Sequence, residues 1–147
     1  MKNNFSKLKF LIIESRFYSD ISDQLLLGAK EELDSKGILY DVISVSGSLE
    51  IPQAINIIVN DNKKNVYNGF IALGCVIRGE TSHYDYVCSE TMHWLNSIAL
   101  KKNLCLGNGI LTCENMEQAV KRSSISEGNK GRSAVLASLG LVQLKYF

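Results

Sequence analysis

The segment GCVIRGETSHYDY, Gly74 to Tyr86, places two glycines, an arginine, acids, hydroxyls and a histidine directly after the apolar run GFIAL. Residues of these types at this spacing suit a phosphate loop, a metal site or an acid/base site. Gly74 and Gly79 have the G-x-x-x-x-G spacing of a nucleotide-binding loop, but Glu80 stands where that loop needs lysine. A carboxylate there repels phosphates, so nucleotide hydrolysis is not expected. For a metal the only other histidine is His93, and ten residues of helix put it about 15 Å along the axis from His83. One ion cannot bind both within one chain, and no metal site is expected. What remains is a strand end, a glycine-rich turn and a helix start. Gly74 and Gly79 are expected to let the backbone bend closely, Thr81 or Ser82 to cap, and the free N–H groups of the first turn to hold an oxyanion. An imidazole exchanges protons near neutrality. At this point His83 is either a proton carrier or a helix-start histidine.

Three further places carry usable chemistry. SGSLEIP (46 to 52) is a second strand-to-helix turn whose small residues admit a planar ligand. Its Glu50 either accepts from ligand hydroxyls or simply favours a helix N-terminus. Phe17 in ESRFYSD is a loop aromatic that either stacks on a ring or packs. Arg122, near a helix end, and Lys130, between Gly128 and Gly131, either clamp a phosphate or are solvated.

These residues need elements to position them. Short apolar runs alternate with longer amphipathic ones, the rhythm of parallel strands joined by helical crossovers. LKFLII (8 to 13), LYDVISV (39 to 45), GFIALG (69 to 74) and NLCLGNGIL (103 to 111) read as strands. Between Ser19 and Ser35, Ile21, Leu25, Leu26, Ala29 and Leu33 share one helical face, and Gly37 stops the helix. Pro52, the only proline, suits a first helical turn, so the chain turns into a helix near Glu50. Residues 82 to 102, 114 to 123 and 131 to 144 read as further helices. The reading is one α/β domain over residues 1–147, a three-layer sandwich with a four-stranded, mainly parallel sheet flanked by helices. Ligands of such sheets bind beyond the carboxyl ends of the strands. The segments to search are therefore Glu14 to Tyr18, Ser46 to Glu50, Cys75 to His83, and Thr112 onward.

Composition narrows the partners. The 147 residues are 46% hydrophobic and 21% charged, with a net charge of +1. That balance suggests neither disorder nor a nucleic-acid surface. Cys75, Cys88, Cys105 and Cys113 form no C-x-x-C pair, which leaves them as buried small hydrophobes in a reducing compartment. The N-terminal MKNNFSKLKFLII breaks at Glu14 and Arg16, too early for a signal sequence. No run approaches the roughly 20 apolar residues that span a bilayer. A cytoplasmic protein without membrane contact is expected.

In this order and at these spacings, SRF, GSLEIP, GCVIRGETSHYDYV, GILTCENMEQAVKR and GNKG resemble the lumazine synthases of riboflavin biosynthesis. The resemblance runs from about residue 10 to the end. It implies a flavodoxin-like fold assembled as pentamers, some packed into shells, with active sites between neighbours and association with riboflavin synthase. It implies condensation of 5-amino-6-(D-ribitylamino)uracil with 3,4-dihydroxy-2-butanone 4-phosphate to 6,7-dimethyl-8-ribityllumazine, phosphate and water, without cofactor or metal.

By motif, the resemblance gives Phe17 the pyrimidine ring, and Ser48, Leu49 and Glu50 the ring edge and ribityl chain. The backbones of Cys75, Val76 and Ile77 complete that pocket. Glu80 and Thr81 bind the phosphorylated ketone through main-chain N–H groups. Arg122 pairs with its phosphate, Lys130 is a second phosphate contact, and His83 transfers protons. Asn108, Arg122 and Lys130 would come from the chain next to the one supplying His83. Tyr18, Asn108 and Ser133 depart from the family's usual asparagine, phenylalanine and acid. At Asn108 an amide replaces an aromatic face, which bears on affinity for the uracil. The alternative is a non-catalytic shell-forming or flavin-binding paralogue.

Overall fold

The structure is a computed structural model that describes residues 5–147; residues 1–4, which open the lysine-bearing N-terminal segment, lie outside it. After a single 3-10 turn at Phe5–Lys7, the elements are β1 (Lys9–Ser15), α1 (Ser19–Ser35), β2 (Leu39–Val45), α2 (Glu50–Val59) and β3 (Gly69–Ile77). They continue as α3 (His83–Lys102), β4 (Leu106–Cys113), α4 (Met116–Ser123) and α5 (Lys130–Tyr146).

The four strands form one parallel sheet in the order β2-β1-β3-β4. Side chains alternate across a strand, so each strand feeds two cores. Leu11, Ile13, Phe70, Ala72 and Ile110 pack on Ile51 and Ile55 of α2 and Leu95 and Ile98 of α3. Phe10, Ile12, Ile71, Leu73 and Leu111 pack on Leu25, Ala29 and Leu33 of α1, Ala119 of α4 and Val135, Leu139 and Val142 of α5. Both faces are thus covered, which is why the strands read as continuous apolar runs. Full burial of one such Leu, Ile or Phe stabilises the fold by about 1.5–3 kcal/mol. Side chains on both faces make the sheet a rigid platform.

Local signals set the helix ends. Gly37 adopts φ +66°, the left-handed conformation that follows many helices, directly after the C-cap Lys36 of α1. Pro52 falls in the first turn of α2, where no N–H is missed. Lys101 and Lys102 close α3. Gly131 lets α5 lie against α1, since any side chain there would run into the Leu25 carbonyl.

Three strands differ from their apolar runs at the site end. β1, β3 and β4 continue to Ser15, Ile77 and Cys113, and β4 begins at Leu106. Ladder pairing continues past the runs read from the sequence, which adds Glu14 and Ser15 to β1 and Cys75 to Ile77 to β3 and leaves Gly74 inside its strand. Gly74 therefore makes no bend. Neither it nor Gly79 has positive φ, so of the two glycines expected to let the backbone bend closely, Gly74 lies instead in a straight ladder. No helix among the described residues is long and apolar enough to cross a membrane.

Candidate functional site

From β1 the chain crosses to β2 on one side and, later, to β3 on the other. The carboxyl ends of β1 and β3 flank the point where strand order reverses, where open α/β sheets bind ligands. A cleft of ≈ 330 Å³ opens there. The β1–α1 turn supplies Phe17 and Tyr18, the β2–α2 turn supplies Ser46 to Glu50, the end of β3 supplies Cys75 to Ile77, and α3 supplies His83 and Val87. Eight expected residues, Phe17, Ser48, Leu49, Glu50, Cys75, Val76, Ile77 and His83, are thus gathered by four separate segments.

Each wall has a local cause. Phe17 is 75% exposed, edge-on to Tyr18 with ring centroids 4.9 Å apart, so it offers an apolar face that the chain itself leaves uncovered. Ser48 is buried, its hydroxyl 3.4 Å from that of Ser15. Leu49 is the N-cap of α2 and Glu50 its first residue. The Cys75 side chain is buried and turned into the core, so β3 presents backbone to the cleft.

His83 is the first residue of α3, and its N–H donates to Thr81 Oγ1 at 3.3 Å; Ser82 occupies the N-cap position without a side-chain bond. Glu80 and Thr81 are exposed in the preceding loop, beside the cleft rather than lining it. Their N–H groups have no backbone acceptor among the described residues, the arrangement that receives an anion at a helix start. Arg78 braces this loop. It forks onto Asp85 at 3.1 and 3.2 Å, donates to Glu114 at 2.7 Å and lies over the Tyr84 ring at 4.3 Å.

Asn108, Arg122 and Lys130 lie elsewhere. They line a second cleft of ≈ 200 Å³ against β4, the edge strand of the sheet, with Gly109 to Thr112. Within one chain this basic cleft and the His83 cleft are separate. Among the described residues the Arg122 guanidinium donates only to the Gln118 carbonyl, at 3.5 Å. The Asn108 amide is occupied at both ends: Oδ1 accepts from the Ile110 N–H and Nδ2 donates to Met92 Sδ, each at 2.9 Å.

The cysteines are protonated thiols. Burial, and then neighbouring Cys113, pushes Cys75 up to about 12; burial also raises Cys88, Cys105 and Cys113. None carries the thiolate needed for nucleophilic chemistry. Sequence reasoning did not single out Val87 or the Arg78 brace. Val87 was detectable as the residue four after His83, on the same face of the helix; the brace depends on Glu114, a distant residue that only the fold brings near.

The sequence profile described as 6,7-dimethyl-8-ribityllumazine synthase matches residues 7–146. The chain is 45% identical over 146 residues to the 6,7-dimethyl-8-ribityllumazine synthase of Afipia carboxidovorans, covering 98% of this chain and 90% of the relative. It is 49% identical over 142 residues to that of Agrobacterium fabrum (95% and 96% covered) and 49% identical over 137 residues to 6,7-dimethyl-8-ribityllumazine synthase 1 of Rhizobium meliloti (92% and 90%). A crystal structure of a putative lipoprotein fragment from Peptoclostridium difficile superposes with TM-score 0.51 at 18% identity, over 94% of this chain and 99% of that one. That likeness concerns the fold alone.

Proposed function

The chain belongs to the 6,7-dimethyl-8-ribityllumazine synthase family, enzymes of riboflavin biosynthesis, and on that premise we propose how its two clefts carry out the condensation. The substrates are 5-amino-6-(D-ribitylamino)uracil and 3,4-dihydroxy-2-butanone 4-phosphate. What carries the reading is the cleft that brings Phe17, Glu50, the Cys75–Ile77 backbone and His83 to one space.

Phe17 covers one face of the pyrimidine, while the backbone of Cys75 to Ile77 pairs with its edge. Ser48, Leu49 and Glu50 take the remaining ring edge and the ribityl hydroxyls. The phosphate of the ketone sits at the start of α3, on the N–H groups of Glu80 and Thr81, opposite Arg122 and Lys130. The 5-amino group adds to the ketone carbonyl and water leaves. Phosphate is then eliminated, the enol left behind takes up a proton at carbon and becomes a second carbonyl where the hydroxyl stood, and the ribityl-bearing nitrogen closes onto it with loss of a further water.

His83 stands beside the phosphate loop and takes and returns the protons that these steps move. No step needs a covalent enzyme nucleophile. Holding two substrates together lowers such a barrier by about 7–11 kcal/mol, whereas a general acid–base contributes roughly 10²–10⁴-fold. Positioning therefore outweighs proton transfer, and loss of His83 slows the reaction without ending it.

The basic cleft must come from a neighbouring copy. Two different patches that complete each other make a head-to-tail contact, which gives a ring when its rotation closes and an open filament when it does not; the pentamer of this reading is the closed case. The exposed positions of β4, Asn108 and Thr112, and the exposed Trp94 of α3 support it. Each end of the Asn108 amide has one partner within the chain, which leaves one N–H and one oxygen lone pair to meet a ligand where relatives present an aromatic face. The retained His83, Arg122 and Lys130 count against a non-catalytic paralogue. Incubation of the purified protein with both substrates, followed by lumazine absorbance and phosphate release, tests the reading. Equimolar products are expected, and absence of both overturns it.

A further inference from the structure

Glu14 is a carboxylate only 3% exposed, near the end of β1, and it does not line the cleft. Alternation places it with Phe10 and Ile12 on the α1 face of the sheet, whereas α2 and α3, which carry Glu50 and His83, cover the other face. A carboxylate buried there is costly unless its oxygens are satisfied. They are: Arg16 Nη1 donates to both, at 3.1 and 3.0 Å, and Ser44 Oγ donates to Oε1 at 3.0 Å.

Each partner leads to a wall of the cleft. Arg16 directly precedes Phe17, and its other nitrogen pairs with Asp23 on α1. The same turn is held from α1 by the buried Ser22 hydroxyl, which donates to the Ser15 and Tyr18 carbonyls at 3.2 and 2.9 Å. Ser44 lies opposite Glu14 in the β1–β2 register and precedes the Ser46–Glu50 turn. One buried anion therefore ties together the two turns that face each other across the pyrimidine half of the cleft.

We propose that Glu14 is a positioning residue for that half-site, acting through Arg16 and Ser44 to hold Phe17 and the Ser46–Glu50 turn at the separation a pyrimidine ring requires. The assignment rests on the reading of Phe17 and Glu50 given above. It has a kinetic signature that a general loss of stability lacks. Glu80, Thr81 and Arg122 stand on other elements, so use of the phosphorylated ketone is insensitive to the network.

The test is steady-state kinetics of the full-length assembled protein with each substrate varied in turn, alongside thermal melting. Glu14→Gln is expected to raise KM for the pyrimidine on the order of tenfold, because small displacements of positioning groups are costly. KM for the phosphorylated ketone should stay within about twofold. Ser44→Ala removes one hydroxyl, leaves the ion pair, and should shift the same ratio in the same direction by less. It provides the deciding ratio if Glu14→Gln does not fold. Equal rises in both KM values, or no change in either, overturn the assignment. Product formation by the wild-type protein is scored separately: its absence defeats the condensation reading, while normal wild-type turnover with unselective variants defeats only the role of Glu14.

Discussion

The hydroxyls of Ser15, at the end of β1, and Ser48, in the β2–α2 turn, lie 3.4 Å apart. Gly74 of β3 leaves the room for them: a Cβ there would stand 2.7 Å from Ser15 Oγ and 3.1 Å from Ser48 Oγ. Gly74→Ala should therefore push the Ser48 turn outward. Overpacking of this kind costs about 1–3 kcal/mol. Thermal melting should show the loss, and KM for the pyrimidine should rise with it, whereas an unchanged melt would mean that the turn yields freely.

Among the described residues, the Arg122 guanidinium has only a 3.5 Å hydrogen bond to the Gln118 carbonyl, so its removal should do little to the fold. A hydrogen bond to a charged group contributes about 1.5–3 kcal/mol. Arg122→Ala should raise KM for the phosphorylated ketone on the order of tenfold to hundredfold, with a smaller effect on the pyrimidine. Arg122→Lys should recover part of this, having charge but no fork. Substrate-by-substrate kinetics measure both.

Much of this organisation is legible in the sequence, for physical reasons. Ile21, Leu25, Ala29 and Leu33 recur at four-residue intervals because α1 buries one stripe, and Gly37 ends it. β2 is read with its observed bounds. Strand ends at the site are not, because Ser15, Ile77 and Cys113 continue the ladders beyond the apolar runs. The residues around His83 stand out since they fall in one turn. The Glu14–Arg16–Ser44 network does not, because its parts look like ordinary charges and hydroxyls until the β1–β2 register brings them together. Periodicity also cannot tell that Arg122 and Lys130 face away from His83; that follows from β4 being an edge strand.

Stability should carry an acid limb from Glu32. Burial alone would raise its carboxyl, but bonds from Arg132 at 2.8 Å and Lys36 at 3.1 Å outweigh that and hold it below the usual carboxylate value. A depressed folded value gives stability that is present above the unfolded-chain value of about 4.3 and lost as pH falls through the folded one. Arg132 is more than half exposed, which limits the contribution to about 1 kcal/mol. Melting of Glu32→Gln should lie below wild type at pH 7, and the gap should close below about pH 4.

Cys75 should resist alkylation in the folded protein. With its thiol pushed up to about 12, it holds about three orders of magnitude less thiolate at pH 8 than a free cysteine. Mass-spectrometric labelling with iodoacetamide should mark Cys75 slowly before unfolding and rapidly after it. Equal rates in both states would contradict the burial described for this thiol.

The central claim is a condensation performed between two copies of the chain, with His83 from one and Arg122 from the next. Coexpression of His83→Ala with Arg122→Ala chains puts it to the test, using lumazine formation at a phosphorylated-ketone concentration well below the wild-type KM as the signal, where the Arg122→Ala defect is fully expressed. In mixed rings about one site in four joins an intact His83 to an intact Arg122, by random placement around a head-to-tail ring. The account predicts a rate near a quarter of wild type, well above either variant alone; a rate no greater than the average of the two variants would contradict it.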